Sequence, residues 1–144
     1  MKIILSPLKI EDIQIQEFSY KFKSDSKVKT VNYKKLNFDF EIKKAPDKNE
    51  FVVFFKLENS DVKSALDFSV KGMLKYLLPK KLNDEKISRY IYGNMIPQIY
   101  SNLRGYLYAV SQSMPLRIVL PVINLAEMYE KERKEYDKER NRET

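Results

Sequence analysis

The residue types that most often carry covalent or metal chemistry are missing here: none of the 144 residues is Cys or His. That removes a thiol nucleophile, a thiolate metal site and an imidazole base. Tyr, Lys and carboxylates can still move protons, but no pair of them falls into a recognisable site spacing. Glu11–Asp12 and Asp84–Glu85 read as a strand bend and a helix start. The only glycines, Gly72, Gly93 and Gly105, open no phosphate-cradling loop, and no carboxylate cage for a hard cation is evident. The sequence therefore points away from an enzyme, and no cofactor or metal is expected. What remains is recognition, and the segment best suited to it is MPLRIVLPVINL, residues 114–125. Pro115 and Pro121 keep it out of any helix. In an extended chain Leu116, Ile118 and Leu120 project to one side and Arg117 and Val119 to the other. Two readings stand side by side: the strap tucks under a sheet as core, or it walls a groove. In a groove its main chain would pair with another extended polypeptide, with Met114 and Met128 as adaptable apolar contacts.

The elements that must hold this strap follow from hydrophobic period. Ile13 and Ile15, then Phe18, Tyr20 and Phe22, alternate with polar residues, as do Leu36, Phe38, Phe40 and Ile42; period two marks half-buried strands. FVVFFKL (51–57), after the turn cluster APDKNE (45–50), is apolar on both faces and suits a central strand. Leu66, Phe68 and Val70 form a fourth alternating stretch before Gly72 and Pro79. The period then changes. Ile96, Tyr100, Leu103, Leu107, Val110 and Met114 recur every three or four residues, the seam of an amphipathic helix, with Asn94 as its cap and a shorter helical piece over 85–92. Asn124 and Glu127 have capping-box spacing, so another helix starts after the strap, with Leu125, Met128 and Tyr129 in its first turns. Its continuation is a charged stretch with Glu130–Lys134 and Lys131–Glu135 at i,i+4.

Four strands followed by helices read as one α+β domain, an antiparallel sheet with two C-terminal helices laid on one face. The sheet occupies 1–78, the helical region 84–113, the strap 114–123 and the C-terminal helix 124–144. The start, MKIILSPLKI, has too short an apolar run for a signal peptide, and no run reaches the roughly 20 apolar residues that cross a bilayer. A cytoplasmic protein without membrane insertion is expected. The net charge of +7 and pI near 9.4 favour acidic partners. Lysines cluster over 21–35 and at 80–81 among Tyr20, Phe22, Tyr33 and Tyr76, an arrangement that could stack single-stranded bases. There is no RNP-like motif, and with 20 acidic residues the excess is modest. Nucleic acid is thus the alternative partner and not the main one.

Residues 96–129, IPQIYSNLRGYLYAVSQSMPLRIVLPVINLAEMY, resemble the SecB family of protein-export chaperones. The shared pattern is Pro97, Ile99 and Arg104 on the helix, then Pro115, Pro121, Val122 and Asn124, with Ile123 as one extra residue. LKIEDIQIQE (8–17), NFDFEI (37–42) and ALDFSVKG (65–72) resemble that family's first, second and fourth strands. The resemblance implies a Greek-key sheet backed by two helices and an ATP-independent holdase for unfolded or pre-secretory polypeptides. It implies a client groove at Phe38, Phe40, Met114, Leu116, Ile118, Leu120, Leu125 and Met128. It also implies a dimer of dimers, with Tyr100, Leu103, Leu107 and Val110 between subunits. Partner-docking positions would be Asp12, Glu17 and Asp67. Two departures argue against docking of the SecA motor: Gln16 stands where the family usually has Glu, and the chain is basic. SecB-like proteins also serve toxin–antitoxin systems, a second role that the resemblance leaves open.

Overall fold

The computed structural model describes residues 1–3, 9–24, 27–44, 50–78, 84–128, 130, 131, 134 and 138. The expected turn at 45–49, Pro79, the lysines at 80–81, Tyr129 and the Lys131–Glu135 pair lie outside them. The chain divides into two compact units, Met1–Lys81 with Tyr108–Ile118, and Leu82–Leu107 with Val119–Thr144.

The first unit holds the sheet: β1 (Lys9–Phe22), β2 (Asn37–Lys44), β3 (Glu50–Asn59) and β4 (Leu66–Leu77). They lie in the order β1-β4-β3-β2, every pair antiparallel. Successive strands β2, β3 and β4 are neighbours and β1 returns beside β4, which is the expected Greek key. The α+β class read from the sequence is the one found. β3 and β4 are the central strands, and each alternates strictly. Phe51, Val53, Phe55 and Leu57 share the covered face with Leu66, Phe68, Val70, Leu74 and Tyr76, all buried. Val52, Phe54, Lys56, Lys71, Met73 and Lys75 are half-buried on the open face.

The strand β4 runs on through Gly72 to Leu77, so this glycine does not punctuate it. The residue is needed for space. A Cβ at Gly72 would lie 2.2 Å from the main-chain oxygen of Gln14 and 2.6 Å from Cζ of Phe55. Two irregularities in β1, between Ile10 and Asp12 and between Ile15 and Glu17, act as bulges that reset the alternation. They explain why the apolar residues of this strand fall at 10, 13, 15, 18, 20 and 22. Through pairing with Tyr76, Leu74, Gly72, Val70, Phe68 and Leu66, all six are kept on the covered-face side.

In the second unit α1 (Asp84–Tyr90) leads into a π-helical turn (Ile91–Met95) and then α2 (Ile96–Val110) without a break. This differs from the expected capped start at Asn94. The residue lies inside the π turn, where the Ile96 N–H reaches back to Ile91 O. A widened turn relieves the clash that a proline ring makes with the carbonyl four residues earlier, so Pro97 is accommodated inside a continuous helix. After the strap, residues 125–128, 130, 131, 134 and 138 are helical. Asn124 caps that helix as its spacing predicts: the Glu127 N–H donates to Asn124 Oδ1 at 3.0 Å, and Asn124 Nδ2 donates to Glu127 Oε2 at 3.2 Å.

Candidate polypeptide-binding surface

The strap is fastened at both ends. A short 3-10 turn, Ser111–Ser113, closes α2, and Met114 is extended at φ −94°, ψ 160°. Ser111 is fully buried and serves as the fastening point. Its hydroxyl donates to Tyr108 O at 3.0 Å and accepts the Ile118 N–H at 2.9 Å, while its carbonyl accepts the Met114 N–H at 3.1 Å. Arg117, the one charge in the strap, folds back so that Nη1 donates to Ser111 O at 3.0 Å and Met114 O at 3.1 Å. A cation is well placed on carbonyls that the helix end leaves over. In the second unit the Tyr100 hydroxyl donates to Pro121 O.

The alternation expected of the strap is present. Ile118 and Leu120 are 0% and 2% exposed, Met114 is buried and Leu116 is half-buried, whereas Arg117 and Val119 are exposed. The inward row therefore belongs to the core of the chain. Only Leu116 of that row offers accessible side-chain surface, which narrows the groove assignment made from the sequence. Main-chain capacity remains: Leu116, Val122 and Ile123 make no hydrogen bond to another described residue, and Val122 is exposed.

The other sequence-assigned positions divide as follows. Phe38 and Phe40 are half-buried on β2, an edge strand, with ring centroids 5.9 Å apart. Beside them Asp39, Phe40, Glu41, Phe54, Phe55 and Lys56 line a shallow concavity of about 260 Å³, where the Lys43 ammonium stands 5.4 Å from the centroid of the Phe54 ring. Leu125 is half-buried and Met128 exposed. Tyr100, Leu103 and Leu107 are buried in the chain itself. Val110, the fourth position of the expected subunit seam, is half-buried. Of the docking positions, Asp67 is already engaged: it pairs with Lys23 at 3.1 Å and accepts the Asp61 N–H at 3.3 Å. Asp12 accepts from Gln14 Nε2 at 2.7 Å, and Glu17 faces Lys71 across the strands.

Sequence reasoning missed the accessible apolar row on β1. Tyr20 and Phe22 are 53% and 38% exposed, and Ile10 and Ile13 are exposed too, although all four lie on the side that the central strands bury. The signal was the change of spacing between Ile15 and Phe18, which only a bulge reconciles with a single face. Part of the charge on the open face is paired. Lys75 bridges Glu50 at 2.9 Å and Glu11 at 3.8 Å, and Lys56 meets Glu58 at 3.1 Å. The hydrogen bond that the Lys75 ammonium donates to Glu50, with the charge of that carboxylate, raises Lys75 above its ordinary pKa, and burial raises the Tyr76 phenol. Among the described residues no group of three or more acidic side chains could hold a metal, and no helix is long and apolar enough to cross a membrane.

No family model matches the sequence, and no curated protein matches it. Among solved structures, the chain is similar to the SecB-like chaperone of Mycobacterium tuberculosis, solved in complex with a ChAD peptide from the HigA1 antitoxin. The likeness has a TM-score of 0.60 at 14% identity, over 81% of this chain and 88% of that one. A protein of unknown function from Streptococcus agalactiae matches with a TM-score of 0.44 and 9% identity, over 80% of this chain and 97% of that one. The fold is thus SecB-like.

Proposed function

We propose that the chain is an ATP-independent holdase that captures unfolded polypeptide in extended form. The observation that carries this reading is accessible apolar surface on extended chain: Phe38 and Phe40 on an edge strand, and on the strap Leu116, Val122 and Ile123, whose main chain makes no hydrogen bond to another described residue. Edge strands and free extended segments take up polypeptide through main-chain hydrogen bonds, and alternate side chains supply the preference. Leu125 and Met128 follow the strap and add adaptable contacts. The SecB-like fold supports the reading, because the M. tuberculosis relative was solved with a peptide bound. That peptide comes from an antitoxin, so a dedicated antitoxin client is the second form of the same activity. Each apolar subsite is weak, and assembly of copies into a dimer of dimers would multiply them through effective concentration. Such assembly would use the exposed side of α2 around Tyr108, since Tyr100, Leu103 and Leu107 are buried. The test is aggregation of a chemically denatured model protein followed by light scattering without nucleotide. Suppression at near-stoichiometric ratio is expected. Phe40→Ser with Leu116→Ser should weaken it several-fold while the circular dichroism spectrum is kept. Undiminished protection by that double variant would place the binding surface elsewhere.

A further inference from the structure

The lysines between β1 and β2 belong to no function derived so far. Residues 21–35, KFKSDSKVKTVNYKK, which take in the last two residues of β1, carry six lysines and one acid, a net +5 of the +7 for the whole chain. The remaining residues are therefore nearly neutral. The arm is fastened to the turn between β3 and β4. The Ala65 N–H donates to Thr30 O at 2.9 Å, the Asn32 N–H to Ser64 Oγ at 3.0 Å, and Asn59 Nδ2 to Asn32 O at 2.9 Å. Tyr33 sets its ring edge-on to Phe68, with centroids 6.4 Å apart. Lys23 is spent on Asp67 and on Asp61 O, at 3.1 and 2.8 Å. Lys27, Lys29, Lys34 and Lys35 differ. All four are exposed, and none makes an ion pair with a described residue. Like charges held close together raise the local potential and favour an anionic partner. Where β1 runs into the arm lie the exposed rings of Tyr20 and Phe22.

We infer that this arm selects the clients of the proposed holdase: it binds unfolded segments in which an aromatic or aliphatic run is followed by a cluster of Asp and Glu. The apolar run lies against Tyr20 and Phe22, and the acidic cluster meets Lys27, Lys29, Lys34 and Lys35. A single-stranded nucleic acid fits less well, because it needs a continuous basic track. The adjoining open face instead alternates in sign. Lys21 stands opposite Asp67, Glu17 opposite Lys71 and Asp39 opposite Lys56, so the positive surface stops at the arm. The inference rests on the holdase reading and adds a charge rule to it.

The experiment uses the full chain and three labelled peptides sharing one apolar segment, flanked by four Asp, four Ser or four Lys, followed by fluorescence anisotropy at low and high salt. The Asp-flanked peptide should bind about tenfold tighter than the Ser-flanked one at low salt, the sum of four exposed pairs, and lose most of that margin at high salt. Changing Lys27, Lys29, Lys34 and Lys35 together to Gln, all surface positions, should erase the margin and leave binding of the Ser-flanked peptide unchanged. Equal affinity for the three peptides in the unaltered protein, or a margin that survives the four changes, overturns the charge rule while the holdase reading stands. Failure to bind any of the peptides overturns both. Oligouridine bound more tightly than the Asp-flanked peptide, with the same lysine dependence, assigns the arm to nucleic acid and overturns the polypeptide assignment.

Discussion

The main-chain N–H of Ile118 is held by the hydroxyl of Ser111 at 2.9 Å, and both residues are fully buried. This bond decides where the strap leaves the helix and which of its side chains turn inward. Ser111→Ala removes the acceptor and strands a buried donor. The expected loss is about 1–3 kcal/mol of stability, read from the midpoint of urea unfolding; an unchanged midpoint would show that the strap is fixed by other contacts.

Gly72 makes a sharper claim about the sheet. Its replacement by Ala puts a methyl against the Gln14 carbonyl and the Phe55 ring at once. Overpacking of this kind costs about 1–3 kcal/mol. Trimming the ring, as Phe55→Leu, should rescue the Gly72→Ala protein only in part, because the clash with the β1 main chain remains. Complete rescue would mean that β1 and β4 separate more easily than their register suggests.

Asn124 tests the helix after the strap. Asn124→Ala loses the bonds to Glu127 and should cost about 1 kcal/mol, seen as reduced helical ellipticity at low denaturant. Asn124→Asp or Asn124→Ser should restore most of the signal, as either accepts the Glu127 N–H.

The alkaline limb of stability has a defined sign. Burial raises the Tyr76 phenol above its ordinary value near 10, so the folded state holds the neutral form after the unfolded chain has begun to ionise. That contribution is intact below about pH 10 and fades above it. Lys75, raised by Glu50, acts in the same direction: its ion pair helps below about pH 10.4 and is lost above. Tyr76→Phe should move the midpoint of alkaline unfolding upward. An unmoved midpoint would show that the phenol does not govern it.

The α+β class and the Asn124 cap were legible because each rests on a local pattern that the tertiary structure leaves intact, whereas the Greek-key order came only with the SecB resemblance. Phe38, Phe40 and Ile42 had to share a face, and Asn124 with Glu127 had to close a turn. Four features were not legible, each for a physical reason. The row Met114, Leu116, Ile118 and Leu120 alternates equally well in a groove or in a core, and only burial separates the two. A seam such as Tyr100, Leu103 and Leu107 records that a helix has an apolar side without recording whether its own chain covers it. Ser111 sits in a polar run, SQS, where nothing local marks one hydroxyl as the buried fastening point. The π turn was hidden because Gly93–Asn94 before Pro97 mimics an ordinary helix start.

The central claim is that accessible apolar side chains on extended segments of this SecB-like fold hold unfolded polypeptide. It is tested most directly by light scattering from a denatured model protein diluted into buffer with and without this chain, no nucleotide being present. Suppression of scattering in proportion to added protein, weakened several-fold by Phe40→Ser with Leu116→Ser, is the predicted result. Scattering that rises equally fast with and without the folded chain would contradict it.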